Sequence, residues 1–152
     1  MVMRVLEVMT EGVKTVPPTM SAGQAWEIMR QLGIRHLVVT RGRDVIGVLS
    51  ERDAGGRSGA VIRAGRTVAD LMTGQVASVT PTDTVRSVSN LMRGRSIGCV
   101  PVVDRGRLVG LVTLSDLLEL LGRGVDRPAK PARRLATHRV AHRKGRGARA
   151  AW

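Results

Sequence analysis

The chain has 152 residues, 43% of them hydrophobic, and a formal net charge of +13, enough for one compact domain or two small halves sharing a core. No run approaches the roughly 18–20 apolar residues of a membrane span, and the N-terminus lacks the charged-then-apolar pattern of an export signal. The lone Cys99 cannot form an intrachain disulfide, so a cytoplasmic protein is expected, and disulfide scaffolds, membrane spans and zinc fingers are excluded.

In chain order, Val5-Leu-Glu-Val-Met9 places apolar residues at i, i+3 and i+4 and predicts a short helical turn. A short strand, Val13–Val16, is closed by Pro17, which cannot donate to a ladder. Ser21-Ala-Gly-Gln24 has capping-box spacing, and Ala25, Ile28, Met29 and Leu32 give a helix an apolar face that ends at Gly33. The β-branched runs His36–Thr40 and Val45–Leu49 flank the polar turn Arg41-Gly-Arg-Asp44 and are apolar enough to be covered on both faces. The stretch after Asp53 is too glycine-rich to promise a helix.

The same series then recurs at a constant shift of 63 residues. Val5, Met9, Thr10, Val16, Pro18, Thr19, Met29, Arg30, Ile34, Gly47 and Asp53 meet identical residues at Val68, Met72, Thr73, Val79, Pro81, Thr82, Met92, Arg93, Ile97, Gly110 and Asp116. The chain is a tandem duplication. The second copy predicts a turn at Val68–Met72, a strand at Val76–Val79, a helix capped by Asp83 or Thr84, and strands Cys99–Val103 and Leu108–Val112. A last helix follows from about Ser115 to Leu121.

Most of the charge lies beyond the repeats. Residues 122–152 hold ten basic side chains against one acid, Asp126, and few aliphatic residues. Such a segment buries too little apolar surface to offset its ordering entropy and is expected to be disordered. The expected divisions are a first repeat over 3–58, a linker over 59–66, a second repeat over 67–122 and a basic tail over 123–152.

The duplicated pattern resembles the cystathionine-β-synthase-type, or CBS, domain, and the pair resembles a Bateman module. The resemblance rests on Met9-Thr10 and Met72-Thr73, on Thr15-Val-Pro-Pro18 and Ser78-Val-Thr-Pro81, and on Ile34-Arg-His-Leu-Val-Val39 and Ile97-Gly-Cys-Val-Pro-Val-Val103. Its fourth element is Gly47-Val-Leu-Ser50-Glu-Arg-Asp53, repeated as Gly110-Leu-Val-Thr113-Leu-Ser-Asp116. It implies an α/β fold of two β-α-β-β-α repeats packed as a pseudo-twofold pair. It also implies a regulatory module that takes an adenine nucleotide (AMP, ADP or ATP) or S-adenosylmethionine in the inter-repeat cleft, pairs into a homodimer and signals to a partner protein.

Asp53 and Asp116 each follow a hydroxyl, Ser50 and Thr113, by three residues; a carboxylate there can accept both hydroxyls of a ribose, or can simply cap a helix. The resemblance favours Asp116 as the ligand contact over Asp53, whose following segment is a poor helix. The resemblance adds Thr15, Val16, Ser78 and Val79 as groups lining a nucleoside, and Arg35 and His36 as the phosphate contacts. The second copy has Gly98 and Cys99 in place of that last pair, so two unequal sites are expected. Trp26 stands outside the predicted apolar face and is a candidate dimer contact or a half-buried shoulder residue. No nucleophile–base pair, metal cluster or phosphate loop is evident, so no enzyme activity is expected. His138 and His142 lack a third ligand. The alternative function is a dimerising CBS scaffold whose arginine-rich tail binds nucleic acid or another polyanion.

Overall fold

The computed structural model describes residues 2–123 and 133–134. A single 3₁₀ turn over Val5–Glu7 leads into strands β1 (Thr10–Glu11) and β2 (Thr15–Val16), helix α1 (Ala22–Leu32) and strands β3 (His36–Arg41) and β4 (Asp44–Ser50). Helices α2 (Ala60–Arg63) and α3 (Val68–Leu71) follow, then β5 (Thr73–Gly74), α4 (Val85–Arg95), β6 (Cys99–Asp104), β7 (Arg107–Thr113), α5 (Leu114–Arg123) and β8 (Arg133–Arg134). The tail falls outside the described residues except for Arg123, the end of α5, and the pair Arg133–Arg134; His138 and His142 fall outside them too.

The duplication does not fold repeat by repeat. Among the described residues, one compact unit is Lys14–Val76; the other combines those up to Val13 with those from Ala77 onward. Each unit therefore holds the body of one repeat and the entry segment of the other. In the Lys14–Val76 unit the sheet order is β2-β3-β4-β5, with β2 parallel to β3 and the remaining pairs antiparallel. In the other unit the order is β6-β7-β1-β8, with Thr10 opposite Leu111 and β8 parallel to β1. The two hairpins slip register at equivalent places, Val39/Thr40 and Val102/Val103, so the bulge was duplicated with the strand.

The cores follow the same exchange. Val68, from the second copy's entry turn, is fully buried with Val16, Ala25, Met29, Leu37, Val39 and Leu49 of the first. Val5 is fully buried with Val79, Val88, Met92, Val100, Val102 and Val112 of the second. Burying a valine is worth about 1.5–3 kcal/mol, so each body depends on a side chain from the other repeat. Val38 and Val48, on the opposite face of their hairpin, are buried as well, as their unbroken apolar runs predict.

Local signals act as expected at α1 and α4. Ser21 and Thr84 accept from the N–H groups of Gln24 and Ser87, and both helices end on a left-handed residue, Gly33 at φ 63° and Ser96 at φ 53°. That conformation costs a non-glycine residue about 1–2 kcal/mol, part of which glycine returns through its freer unfolded chain. Ser96→Gly is expected to stabilise the protein by about 0.5 kcal/mol, read as a higher urea midpoint.

The buried face of α1 is Ala22, Ala25, Trp26 and Met29, rotated from the predicted one, and Ile28 only packs at its margin. Trp26 is 6% exposed, which removes it as a dimer contact. Its cover is Arg63, whose guanidinium carbon sits 4.3 Å from the ring centroid. Arg63 also donates to the carbonyls of Ala54 and Gly56, at 2.7 and 2.6 Å. The stretch expected to be a linker thus contains a helix whose arginine, itself buried, pins the glycine-rich loop. The first strands are shorter than predicted: β2 is two residues, and its counterpart is a single parallel bridge between Val79 and Val102. Prolines at 17, 18 and 81 limit both.

Candidate functional site

In the Lys14–Val76 unit, the predicted residues gather at the open end of the β3–β4 hairpin. His36 and Ser50 are register partners, and a nearby rung runs across all four strands as Thr15, Val38, Val48 and Thr73. Val16 is buried beside an exposed Thr15. The chain leaves β4 in a turn rather than a helix, in keeping with its glycines. Ser50 and Asp53 close that turn reciprocally: the Ser50 N–H donates to Asp53 Oδ2 at 3.1 Å and the Asp53 N–H to Ser50 Oγ at 2.9 Å. The Thr73 hydroxyl adds a third bond, 3.4 Å to the same Oδ2. Asp53 is half-buried, and its Oδ1 takes no hydrogen bond from the described residues.

The cations beside it are muted. Arg35 Nε lies 3.4 Å from Glu51 Oε2, with both side chains half-buried. Burial draws His36 down to about 4, with Asp53 pulling the other way and Arg35 adding to the fall, so the imidazole is neutral at pH 7.

The other unit repeats the motif in a closed form. Thr113 N–H donates to Asp116 Oδ2 at 2.9 Å and Asp116 N–H to Thr113 Oγ1 at 3.2 Å, capping α5. The Thr10 hydroxyl donates to Oδ1 and Oδ2 at 3.1 and 3.4 Å. Asp116 is only 2% exposed. Cys99 stands where His36 stands in the first copy; it is buried, and burial with the Asp116 charge pushes its thiol upward, leaving an inert apolar group. Ser78 is exposed and Val79 buried, as at Thr15 and Val16.

Thr10 and Thr73 join the site although the sequence does not single them out. Their signal is the Met-Thr pair that recurs at the repeat shift, but by spacing alone it belongs to an entry helix. Gly47 and Gly110 mark the same contact. A Cβ on Gly47 would lie 2.8 Å from the Thr73 carbonyl oxygen, and one on Gly110 would lie 2.9 Å from that of Thr10. A separate cleft of about 500 Å³ in the Lys14–Val76 unit is lined by Thr19, Ser21, Arg63, Arg66 and Thr67 among others, none of them a predicted site residue. Among the described residues no cluster of three metal-ligating side chains forms, and no helix is long and apolar enough to cross a membrane.

Comparison with known proteins agrees with this architecture. The chain is 33% identical over 114 residues to the CBS domain-containing protein YhcV of Bacillus subtilis, spanning 74% of this chain and 81% of that one. It is 35% identical over 107 residues to an inosine-5′-monophosphate dehydrogenase of Korarchaeum cryptofilum, but covers only 21% of that enzyme. The fold superposes on the CBS domain pair of protein MJ0100, in complex with 5′-methylthioadenosine and S-adenosyl-L-methionine, with a TM-score of 0.72 and 26% identity over 81% of this chain and 98% of that one. The CBS domain model matches residues 5–54 and again 68–123, one match per copy of the duplication. Four motifs in the same order, two copies at one spacing and a shared fold place the chain in the CBS domain family, as a tandem pair.

Proposed function

We propose that this CBS pair is a regulatory sensor of an adenosyl compound, and that its ligand is held through Asp53 in the Lys14–Val76 unit. The carrying observation is the half-buried Asp53 carboxylate, fixed by the Ser50 turn with Oδ1 left to accept, at the end of the sheet that also presents Thr15 and His36. A carboxylate so held can take both hydroxyls of a ribose. Asp116, capped on Oδ2 and 2% exposed, is the poorer of the two.

Charge narrows the ligand class. With His36 neutral and Arg35 committed to Glu51, the carboxylates dominate the neighbourhood, which opposes a polyphosphate and suits a neutral or cationic nucleoside. The methylthioadenosine and S-adenosylmethionine bound by MJ0100 are such compounds. Among the nucleotides AMP, ADP and ATP, affinity is expected to fall with each phosphate. The response would pass to a partner protein from a cytoplasmic homodimer, for which the exposed Leu114, Leu118 and Leu121, on one face of α5, offer an apolar contact.

Isothermal titration of the full chain tests this. Methylthioadenosine or S-adenosylmethionine should bind saturably and at least tenfold more tightly than ATP, and Asp53→Asn should weaken binding by tenfold or more. No saturable binding at millimolar ligand, or a preference for ATP, overturns the reading.

A further inference from the structure

We propose that Thr73 and Thr10 are hydroxyl latches: each entry strand docks on the other repeat's Gly-x-x-Ser/Thr-x-x-Asp turn through a bond to its carboxylate, and a ligand diol that claims the carboxylate releases that strand. The proposal rests on the adenosyl reading above and adds how occupancy is converted into movement.

Three observations carry it. The bond occurs twice by independent residues, Thr73 to Asp53 and Thr10 to Asp116, always from the entry strand of one repeat to the motif of the other. Each latch strand is only two residues long and pairs with the strand that leads into the motif, Thr73 opposite Val48 and Thr10 opposite Leu111. So short a ladder has few backbone bonds, and a charge-assisted side-chain bond is a large share of what holds it. Finally, the two latches differ in strength. Thr73 reaches one oxygen at 3.4 Å and is exposed, whereas Thr10 spans both oxygens of a buried carboxylate.

Each carboxylate oxygen has two lone pairs, and those of Asp53 Oδ2 are taken by the Ser50 N–H and the Thr73 hydroxyl. A diol that binds through both oxygens must therefore displace one of them, and the Thr73 bond, at 3.4 Å against 3.1 Å, is the weaker. The threonine and the ribose therefore compete, and only a ligand that displaces the latch shifts the strand. Thr73 and Thr10 act as positioning residues for their aspartates. They also make the first-copy site the responsive one, because its latch is the weaker.

The test uses the full chain with 5′-methylthioadenosine as the probe, titrated into wild type, Thr73→Val and Thr73→Ser, with amide exchange followed at Thr73 and Gly74. Thr73→Val should bind about fivefold more tightly although its entry strand exchanges faster, and Thr73→Ser should stay within twofold of wild type. In wild type, saturating ligand should speed exchange at Thr73 and Gly74; in Thr73→Val exchange should already be fast and change little. A residue that only supported the fold would weaken binding when lost. Unchanged or weaker binding by Thr73→Val, or no ligand effect on exchange in wild type, overturns the latch while leaving the sensor standing. Failure of wild type to bind the probe overturns both.

Discussion

Gly110→Ala is expected to cost about 3 kcal/mol, a large share of the stability of a domain this size. The added methyl would sit 2.9 Å from both the Met9 sulfur and the Thr10 carbonyl oxygen. The sulfur can swing aside; the carbonyl belongs to β1 and cannot move without losing its pairing with Leu111. Gly94→Ala is the internal control. Gly94 lies inside α4 with nothing within 4 Å of where a methyl would stand, so the same substitution should there gain about 0.5–1 kcal/mol through helix propensity. Urea unfolding of the two variants should move in opposite directions from wild type. Equal midpoints for Gly110→Ala and wild type would mean that β1 is not seated on β7.

Acid should weaken the fold through His36. Its imidazole is held neutral, with its folded value drawn from 6.5 down to about 4 by burial. Between those two values the unfolded chain binds a proton that the folded chain refuses, so stability is full above pH 6.5 and is lost as the pH falls toward 4. The loss amounts to about 2–3 kcal/mol over that window, since one pKa unit corresponds to about 1.4 kcal/mol. Asp53, attracting the protonated ring, and Arg35, repelling it, partly cancel. His36→Gln removes the titration while keeping a polar side chain on the strand. The difference in unfolding free energy between about pH 7.5 and about pH 4.5 should therefore shrink by about 2 kcal/mol in the variant. Parallel pH profiles would place the imidazole in water.

Much of the fold was legible because the signals were local. Ser21 and Thr84 cap their helices by short-range bonds, Gly33 ends one, and two unbroken β-branched runs per copy announce buried hairpins. The duplication made each signal readable twice. What the chain did not announce depends on distant partners. Nothing local says that Val68 packs with residues of the first copy, nor that Gly47 must be small to admit Met72 and Thr73. The rotation of α1 was hidden because a tryptophan's burial depended on Arg63, far along the chain and an unusual core residue. At the site, the Ser50/Asp53 and Thr113/Asp116 spacing was legible, and both pairs do close their turns. Their contrast in exposure was not, since it is set by what covers the carboxylates. The glycines after Asp53, and Gly98 and Cys99 in place of Arg35 and His36, were the hints that the two copies would diverge.

The exchange of entry segments also bears on how such a chain arose. A protein with a single copy would carry a valine, a methionine and a threonine whose acceptors lie in another copy, and a core missing the same side chains. It could complete itself only by trading those residues with a second identical molecule, as a segment-swapped dimer. Fusing two copies converts that bimolecular trade into an intramolecular one, with the connecting segment setting a high effective concentration. Cutting the present chain between its repeats should therefore yield not two autonomous modules but two halves that are stable only when recombined.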